Sequence, residues 1–306
     1  MRTFRNTLRD VFYFYAKIAC KVAPYILGPL LAKREYRRIM GKKMNLKNPR
    51  NLVEKIVWLQ FHADTALWTQ CADKYRVRDY VESKGLGGIL PKLYGCWKNV
   101  DEINFDELPK SFVLKTNNSC GQLLIVQDKR NLNIEEAKKK LRKWLKMSYG
   151  YHNAQLHYIH IEPCIIAEEF LVDLSLKPGE NLIDYKVWCF HGKPESILVI
   201  NGRSNNEYYM EFYDTQWQNI SDMALNPNSS HFGSRHTPCP NNLDLMLKYA
   251  RQLSEEFAEV RVDFYNFNGN IYFGELTFTA GYGNYSNRYY DYLGSKIDLA
   301  QIKRIR

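Results

Sequence analysis

Apolar and polar positions alternate most clearly over residues 260–283, VRVDFYNFNGNIYFGELTFTAGYG. β-Branched and aromatic residues fill 260–265 and 271–278, and Asn266-Phe267-Asn268-Gly269 carries turn chemistry, so the stretch predicts a β-hairpin. Side chains two apart in a strand share a face. Arg261 and Asp263 therefore point the same way, as do Glu275 and Thr277 on the return strand. Upstream, residues 51–83 follow a partial helical period through Leu52, Ile56, Leu59, Leu67, Cys71, Tyr75 and Val77, with Lys74 on that helical stretch. Residues 89–97 predict a strand. Residues 111–128 predict strand, polar loop and strand, with Lys115 closing the first strand and Asn117-Asn118-Ser119-Cys120-Gly121 in the loop. A helix is expected over 133–148, opened by Asn133 with Glu135 and Glu136 in its first turn, and with Leu141 and Trp144 turned inward. Residues 164–171 predict a strand ending in Glu168-Glu169-Phe170-Leu171.

A linker with Pro178 and Gly179 leads to LIDYKVWCFHGKPESILVI, a hairpin turning at His191-Gly192-Lys193, where Asp184 and Lys186 share a face. Residues 201–240 read as a long polar loop, and 242–257 as an amphipathic helix with Leu243, Met246, Leu247, Ala250 and Leu253 on its apolar stripe.

The beginning of the chain breaks this regular pattern. Residues 4–31 are aromatic and aliphatic, but Lys17 and Lys21 interrupt them and Pro24 and Pro29 are expected to break them again. A membrane span needs roughly 20 predominantly apolar residues, and a signal peptide a small-residue cleavage site, so neither is expected. A basic cluster follows from Lys33 to Lys47. Such a segment suits a helix lying on an anionic membrane, or a helix docked on the protein's own core with a solvated basic face. Charge sharpens the contrast. Residues 1–50 hold 13 Lys and Arg against two acids, a net of +11, while the remaining 256 carry a net of −1. The body is neutral, so nucleic acid is not an expected partner. At 306 residues with 45% apolar content the chain is globular, with about two domains as a soft expectation. Seven scattered cysteines without CxxC spacing argue against a zinc site or a disulfide framework and fit a reducing cytoplasm. His152, His157 and His160 lack the spacing of a zinc helix.

The hairpin supplies the chemistry. Two carboxylates brought together on one face repel unless a cation lies between them. Hard oxygen donors in that number suit Mg²⁺, which keeps waters and bridges to phosphates. The polar loop after Lys115 can offer backbone N–H groups to phosphates, and the lysine adds charge.

In order, the phrases DKYRVRDYV, FVLKTN, AEEF, DYKVWCFHGKP and RVDFYNFNGNIYFGELTFTAGYG resemble the ATP-grasp ligases, in detail the TupA-like ATP-grasp family of polysaccharide loci, over roughly residues 48–300. The resemblance implies an α+β fold with two subdomains clamping ATP: a basic arm (1–47), a helical region (48–110), subdomain A (111–172) and subdomain B (173–306). It implies that Lys74, Lys115 and the Ser119 loop contact ATP phosphates. Glu168, Glu169, Phe170 and Leu171 would form the adenine hinge, and Asp184 would lie near ribose or phosphates. Asp263, Glu275 and Thr277 would hold Mg²⁺, while Lys186 and Arg261 act on the transferred phosphoryl. Thr277 stands where most ATP-grasp ligases have Asn, and the loop is poorer in glycine than is usual.

The implied reaction is ATP-dependent amide formation between a carboxylate and an amine. The carboxylate would be a uronic acid of a small or lipid-linked saccharide precursor, handled in the cytoplasm at the inner membrane face, and residues 201–240 would shape its site. A glycosyltransferase and a non-catalytic ATP-grasp-like scaffold are the alternatives. Preference for a nucleotide sugar over ATP would mark the first, and absence of nucleotide binding the second.

Overall fold

The computed structural model describes residues 12, 14–147, 149–176, 181–204, 207–226 and 236–305. Residues 1–11 of the arm, the Pro178-Gly179 linker and residues 227–235 of the expected loop lie outside the described residues. The class is α+β, built on two antiparallel sheets.

A helical stretch over 14–22 precedes α1 (Pro24–Met40). Pro24 breaks this region as expected, since the helical stretch ends at Val22 and Ala23 leaves helical geometry with φ −144°, but Pro29 does not. Pro24 opens α1, where its missing N–H would have had no helical partner, and Pro29 lies inside the helix. The helical stretch at 51–83 is three helices: α2 (Leu52–His62), α3 (Ala66–Ala72) and α4 (Val77–Ser83). Asn51 caps α2 by accepting from the Glu54 N–H at 3.0 Å. Lys74 lies in the turn between α3 and α4, not on a helix, because Asp73 Oδ1 accepts from the Tyr75 and Arg76 N–H groups and holds the chain in a turn.

The first sheet contains β1 (Leu93–Trp97), β2 (Phe112–Thr116), β3 (Leu123–Val126) and β4 (Ile165–Glu168), in the order β1-β4-β2-β3. The expected strand at 89–97 is shortened because Gly87–Ile89 forms a 3₁₀ turn. One face of this sheet packs Phe112, Leu114, Ile165 and Ala167 against Leu141 of α5 (Ile134–Leu145), which Asn133 caps. A short helix, α6 (Leu156–Ile159), precedes β4.

The second sheet has the order β7-β6-β5-β8-β9, from β5 (Asp184–Phe190), β6 (Lys193–Ser204), β7 (Glu207–Asp214), β8 (Val260–Phe267) and β9 (Asn270–Thr277). The expected loop at 201–240 is therefore corrected: β6 runs into it and β7 occupies 207–214. Met210 and Phe212 bury on one face and Glu211 and Tyr213 on the other, a two-sided strand whose polar flanks conceal it. The turns His191-Gly192 and Asn268-Gly269 both have positive φ at both residues, which matches the twist of two-residue hairpins. The second turn is thus two residues, not the expected four.

After α7 (Ser221–Ala224), helix α8 (Leu243–Ser254) covers one face of the second sheet, burying Met246, Ala250 and Leu253 against β5, β6 and β8. Burying each Leu or Met of this kind stabilises by about 1.5–3 kcal/mol. The other face divides in two. Its lower half is aromatic, with Trp188, Phe212, Tyr285 and Tyr289 in edge contacts. Helix α9 (Asn287–Ser295) closes this end and lies against α2 so tightly that a Cβ on Gly294 would meet the Arg50 carbonyl at 2.6 Å. The upper half is polar.

Candidate active site

The polar half is built by strand register. From the turn outward β8 and β9 pair regularly to Phe264↔Phe273, and then the register shifts so that Asp263 faces Glu275 and Arg261 faces Thr277. Gly274 is the extra residue of this β-bulge. Unshifted pairing would set Glu275 opposite Val262, on the buried side. With the bulge, Ile271, Phe273, Leu276 and Phe278 all bury on one side while Glu275 and Thr277 join Asp263 on the other. Glycine is needed here for space: a Cβ on Gly274 would lie 2.9 Å from the Asp263 carbonyl oxygen. Across β8, Lys186 of β5 pairs in register with Asp263.

Asp263 is the hub and is only 3% exposed. Arg261 donates to it twice, Nε to Oδ1 and Nη2 to Oδ2, both at 2.7 Å, and Lys186 Nζ donates to Oδ2 at 2.6 Å. Asp184 lies 3.7 Å from Lys186 and 3.4 Å from Arg203. Glu275 is held more loosely. Its side chain is 40% exposed, Thr277 Oγ1 donates to it at 3.0 Å, and Arg261 and Lys74 stand 3.7 and 3.8 Å away. Burial works to raise the Glu275 pKa, but Lys74, Lys186 and Arg261 outweigh it and bring the carboxyl down to about 2. Burial likewise opposes the Arg261 charge, and the Asp263 carboxylate beside it wins, leaving the guanidinium pKa raised. Immediately before β8, Glu259 is fully buried, and burial pushes its carboxyl well up against the pull of Arg261.

A second cluster lies on the first sheet. Lys115 Nζ forms an ion pair with Glu168, whose other oxygen takes Arg78 at 3.3 Å, and Arg78 also donates to the Pro91 carbonyl at 2.9 Å. Among the described residues no ion pair joins Lys115 or Glu168 to Asp263 or Glu275. Lys74 connects the two regions: its Nζ donates to the Ser119 carbonyl at 2.6 Å and stands near Glu275. The Ser119 hydroxyl turns inward to Thr116. Asn117 pins the loop, accepting from the Cys164 N–H at 2.8 Å and donating to the Glu162 carbonyl at 3.0 Å. The Asn118 side-chain oxygen is buried with no partner among the described residues.

β4 ends at Glu168, earlier than its sequence pattern suggests. Glu169 is exposed and its N–H donates to the Lys92 carbonyl at 2.9 Å, while Phe170 and Leu171 continue as irregular chain. Thus Lys74, Lys186, Arg261, Asp263, Glu275 and Thr277 converge, with Asp184 at the margin, and Lys115 and Glu168 pair apart from them. Sequence reading missed Arg78 and Arg203. Arg78 lies four residues after Lys74 in DKYRVRDYV, but Lys74 sits in the turn before α4 and serves the other cluster, so that spacing does not reveal the Arg78–Glu168 pair. Arg203 meets Asp184 only through sheet pairing, which no local spacing reveals.

Curated proteins offer no match to the chain. Among solved structures, the D-alanine–D-alanine ligase from Bacillus anthracis complexed with ATP is similar at 17% identity and a TM-score of 0.43, over 72% of this chain and 57% of that one. The L-amino acid ligase from Bacillus licheniformis is similar at 15% identity and a TM-score of 0.44, over 69% of this chain and 44% of that one. The chain therefore spans about half the length of these two structures. A sequence model of one family, TupA-like ATPgrasp, matches residues 54–298, and the chain belongs to that family.

Proposed function

We propose that this protein is an ATP-dependent carboxylate–amine ligase. The observation that carries the reading is the register that sets Asp263 against Glu275 with Lys186, Arg261 and Lys74 within 4 Å of their carboxylates.

The residues fit a magnesium–nucleotide. Asp263 and Glu275 face each other across β8 and β9 with the Thr277 hydroxyl beside Glu275, a set of two carboxylates and one hydroxyl oxygen. That suits Mg²⁺, which takes one or two carboxylates and completes its shell with water and phosphate oxygens. Asp263, Glu275 and the Thr277 hydroxyl would hold it, and it would supply charge neutralisation between the phosphates. Four cations, Lys74, Lys186, Arg203 and Arg261, stand against three carboxylates, Asp184, Asp263 and Glu275, an excess that favours a phosphate chain. Lys115 would reach a phosphate, oriented by Glu168, while the main chain of Glu169, Phe170 and Leu171 would form the adenine hinge.

The chemistry follows from leaving-group quality. A carboxylate oxygen attacks the γ-phosphorus, the bond to ADP breaks, and an acyl phosphate forms. The amine nitrogen then attacks the carbonyl carbon, phosphate leaves, and the nitrogen gives up a proton. Lys186 and Arg261 are the residues we assign to the charge on the transferring group. The class of acceptor proposed is the carboxyl of a uronic acid in a saccharide precursor. The test is ADP release measured with candidate uronates and amines. Sustained turnover should need both partners, the carboxylate alone giving at most a single burst of ADP, and it should drop at least a hundredfold in Lys186→Ala, with a folded protein by circular dichroism. Sustained release without a carboxylate, or full activity in Lys186→Ala, would overturn the assignment.

A further inference from the structure

We infer that the N-terminal helices dock this protein on an anionic phospholipid surface, with the segment after β9 packed behind them. The inference deepens the ligase reading, because it makes the acceptor a carboxylate presented at a membrane surface.

The helices have two faces. Inward, Ala16, Cys20, Ala32 and Tyr36 are buried, and all but Ala16 join the main core. The two alternatives open from the sequence are therefore compatible: one face docks on the protein and the other is left outside. In the stretch over 14–22, Phe14, Tyr15, Ile18 and Val22 are all exposed, and their i, i+1, i+4, i+8 spacing keeps them on one stripe. On α1 the outward stripe is Ile26, Leu30, Lys33 and Arg37 at i, i+4, i+7, i+11. Val22 is 77%, Ile26 74% and Leu30 59% exposed, values that large aliphatic side chains rarely reach together.

What covers this face follows from charge. The apolar residues occupy the first turns of α1, and the cations follow on the same stripe. There Lys33, Arg34, Arg37, Arg38 and Lys43 line a concave surface of about 600 Å³ with Met44. Aliphatic groups leading into a basic hollow match the acyl boundary and phosphate layer of an anionic bilayer. No helix among the described residues is long and apolar enough to cross a membrane. The inner face of α1 meets the segment after β9: Tyr36 makes an edge contact with Tyr282, and a Cβ on Gly283 would touch Ile39. That segment lies one helix thickness, about 10 Å, from the proposed lipid surface.

The test uses the full chain, without nucleotide, and sedimentation with vesicles of phosphatidylcholine alone or mixed with phosphatidylglycerol. Binding should be at least tenfold stronger to the anionic vesicles. It should fall at least tenfold in Lys33→Glu/Arg37→Glu and in Ile26→Ser/Leu30→Ser, whose exposed positions leave the circular dichroism spectrum unchanged. Equal binding to both vesicles, no binding, or unaltered binding by both variants overturns the inference. So does a concentration-dependent dimer that Ile26→Ser/Leu30→Ser dissociates, since a second copy would then cover the face. ATP-induced thermal stabilisation of the same protein tests the ligase reading separately, so failure of one leaves the other standing.

Discussion

Replacing Asp263 with Asn should destabilise the nucleotide-free protein, and the size of the loss follows from the contacts. The carboxylate takes three charge-assisted hydrogen bonds, two from Arg261 at 2.7 Å and one from Lys186 at 2.6 Å, and all three side chains are largely buried. Removing one partner of a buried ion pair costs about 3–5 kcal/mol, because the remaining charge stays desolvated. Asp184 and Glu275 stand ready at 3.7 Å to take part of the load, which favours the lower end, about 3 kcal/mol. For a chain of 306 residues that is a fall in Tm of about 5 °C. Differential scanning calorimetry in excess chelator would measure it. A carboxylate kept only for a metal predicts the reverse, because relieving its repulsion with Glu275 would raise Tm. An unchanged or raised Tm in Asp263→Asn therefore refutes the reasoning. The pair Asp263→Asn and Lys186→Met should also be less damaging together than the sum of the two, since the double variant leaves fewer unpaired charges.

Two further predictions concern pH. The Glu275 carboxyl is depressed to about 2, so the stabilisation it provides is complete above its ordinary value near 4.5 and is lost as pH falls toward 2. The stability gap between the wild type and Glu275→Gln in urea titrations should be constant from pH 8 to 5 and close below 4; a gap that closes by pH 6 contradicts the assignment. His157 is buried between Trp68 and Phe278 with neither ring nitrogen partnered among the described residues, and burial lowers it to about 3. The unfolded chain takes up its proton near pH 6.5 and the folded one does not, so stability should fall as pH drops from 6.5 toward 3. His157→Phe should flatten that slope; an unaltered slope would place the acid sensitivity elsewhere.

Much of the second sheet was legible because period-two alternation reports faces without knowledge of partners. Asp184 with Lys186, Arg261 with Asp263, and Glu275 with Thr277 all follow from it. The joining of these pairs into one cluster depends on register between β5, β8 and β9, and a hairpin turn fixes only the last two. β7 was hidden because Glu211 lies in its middle, satisfied by Asn201 and Thr237 within the interior, so a buried strand carries a polar letter. Lys74 read as helical because Leu67, Cys71 and Tyr75 keep the period across a break that Asp73 imposes through its side chain. The arm is interrupted at Ala23 as a following proline implies, while Pro24 also starts α1 at its first turn and Pro29 is carried inside that helix.

The bulge at Gly274 sets an unusual order of tolerance. Any side chain there must push on the Asp263 backbone, so even alanine shifts the residue on which two cations converge. Excising the glycine altogether would let Phe273 run straight into Glu275 with both still on their present sides, and the ladder would become continuous. Shortening the chain by one residue is thus gentler on the cluster than the smallest exchange. What would be surrendered is the extra local twist that a bulge gives a strand, and with it the fine aim of the Glu275 carboxylate.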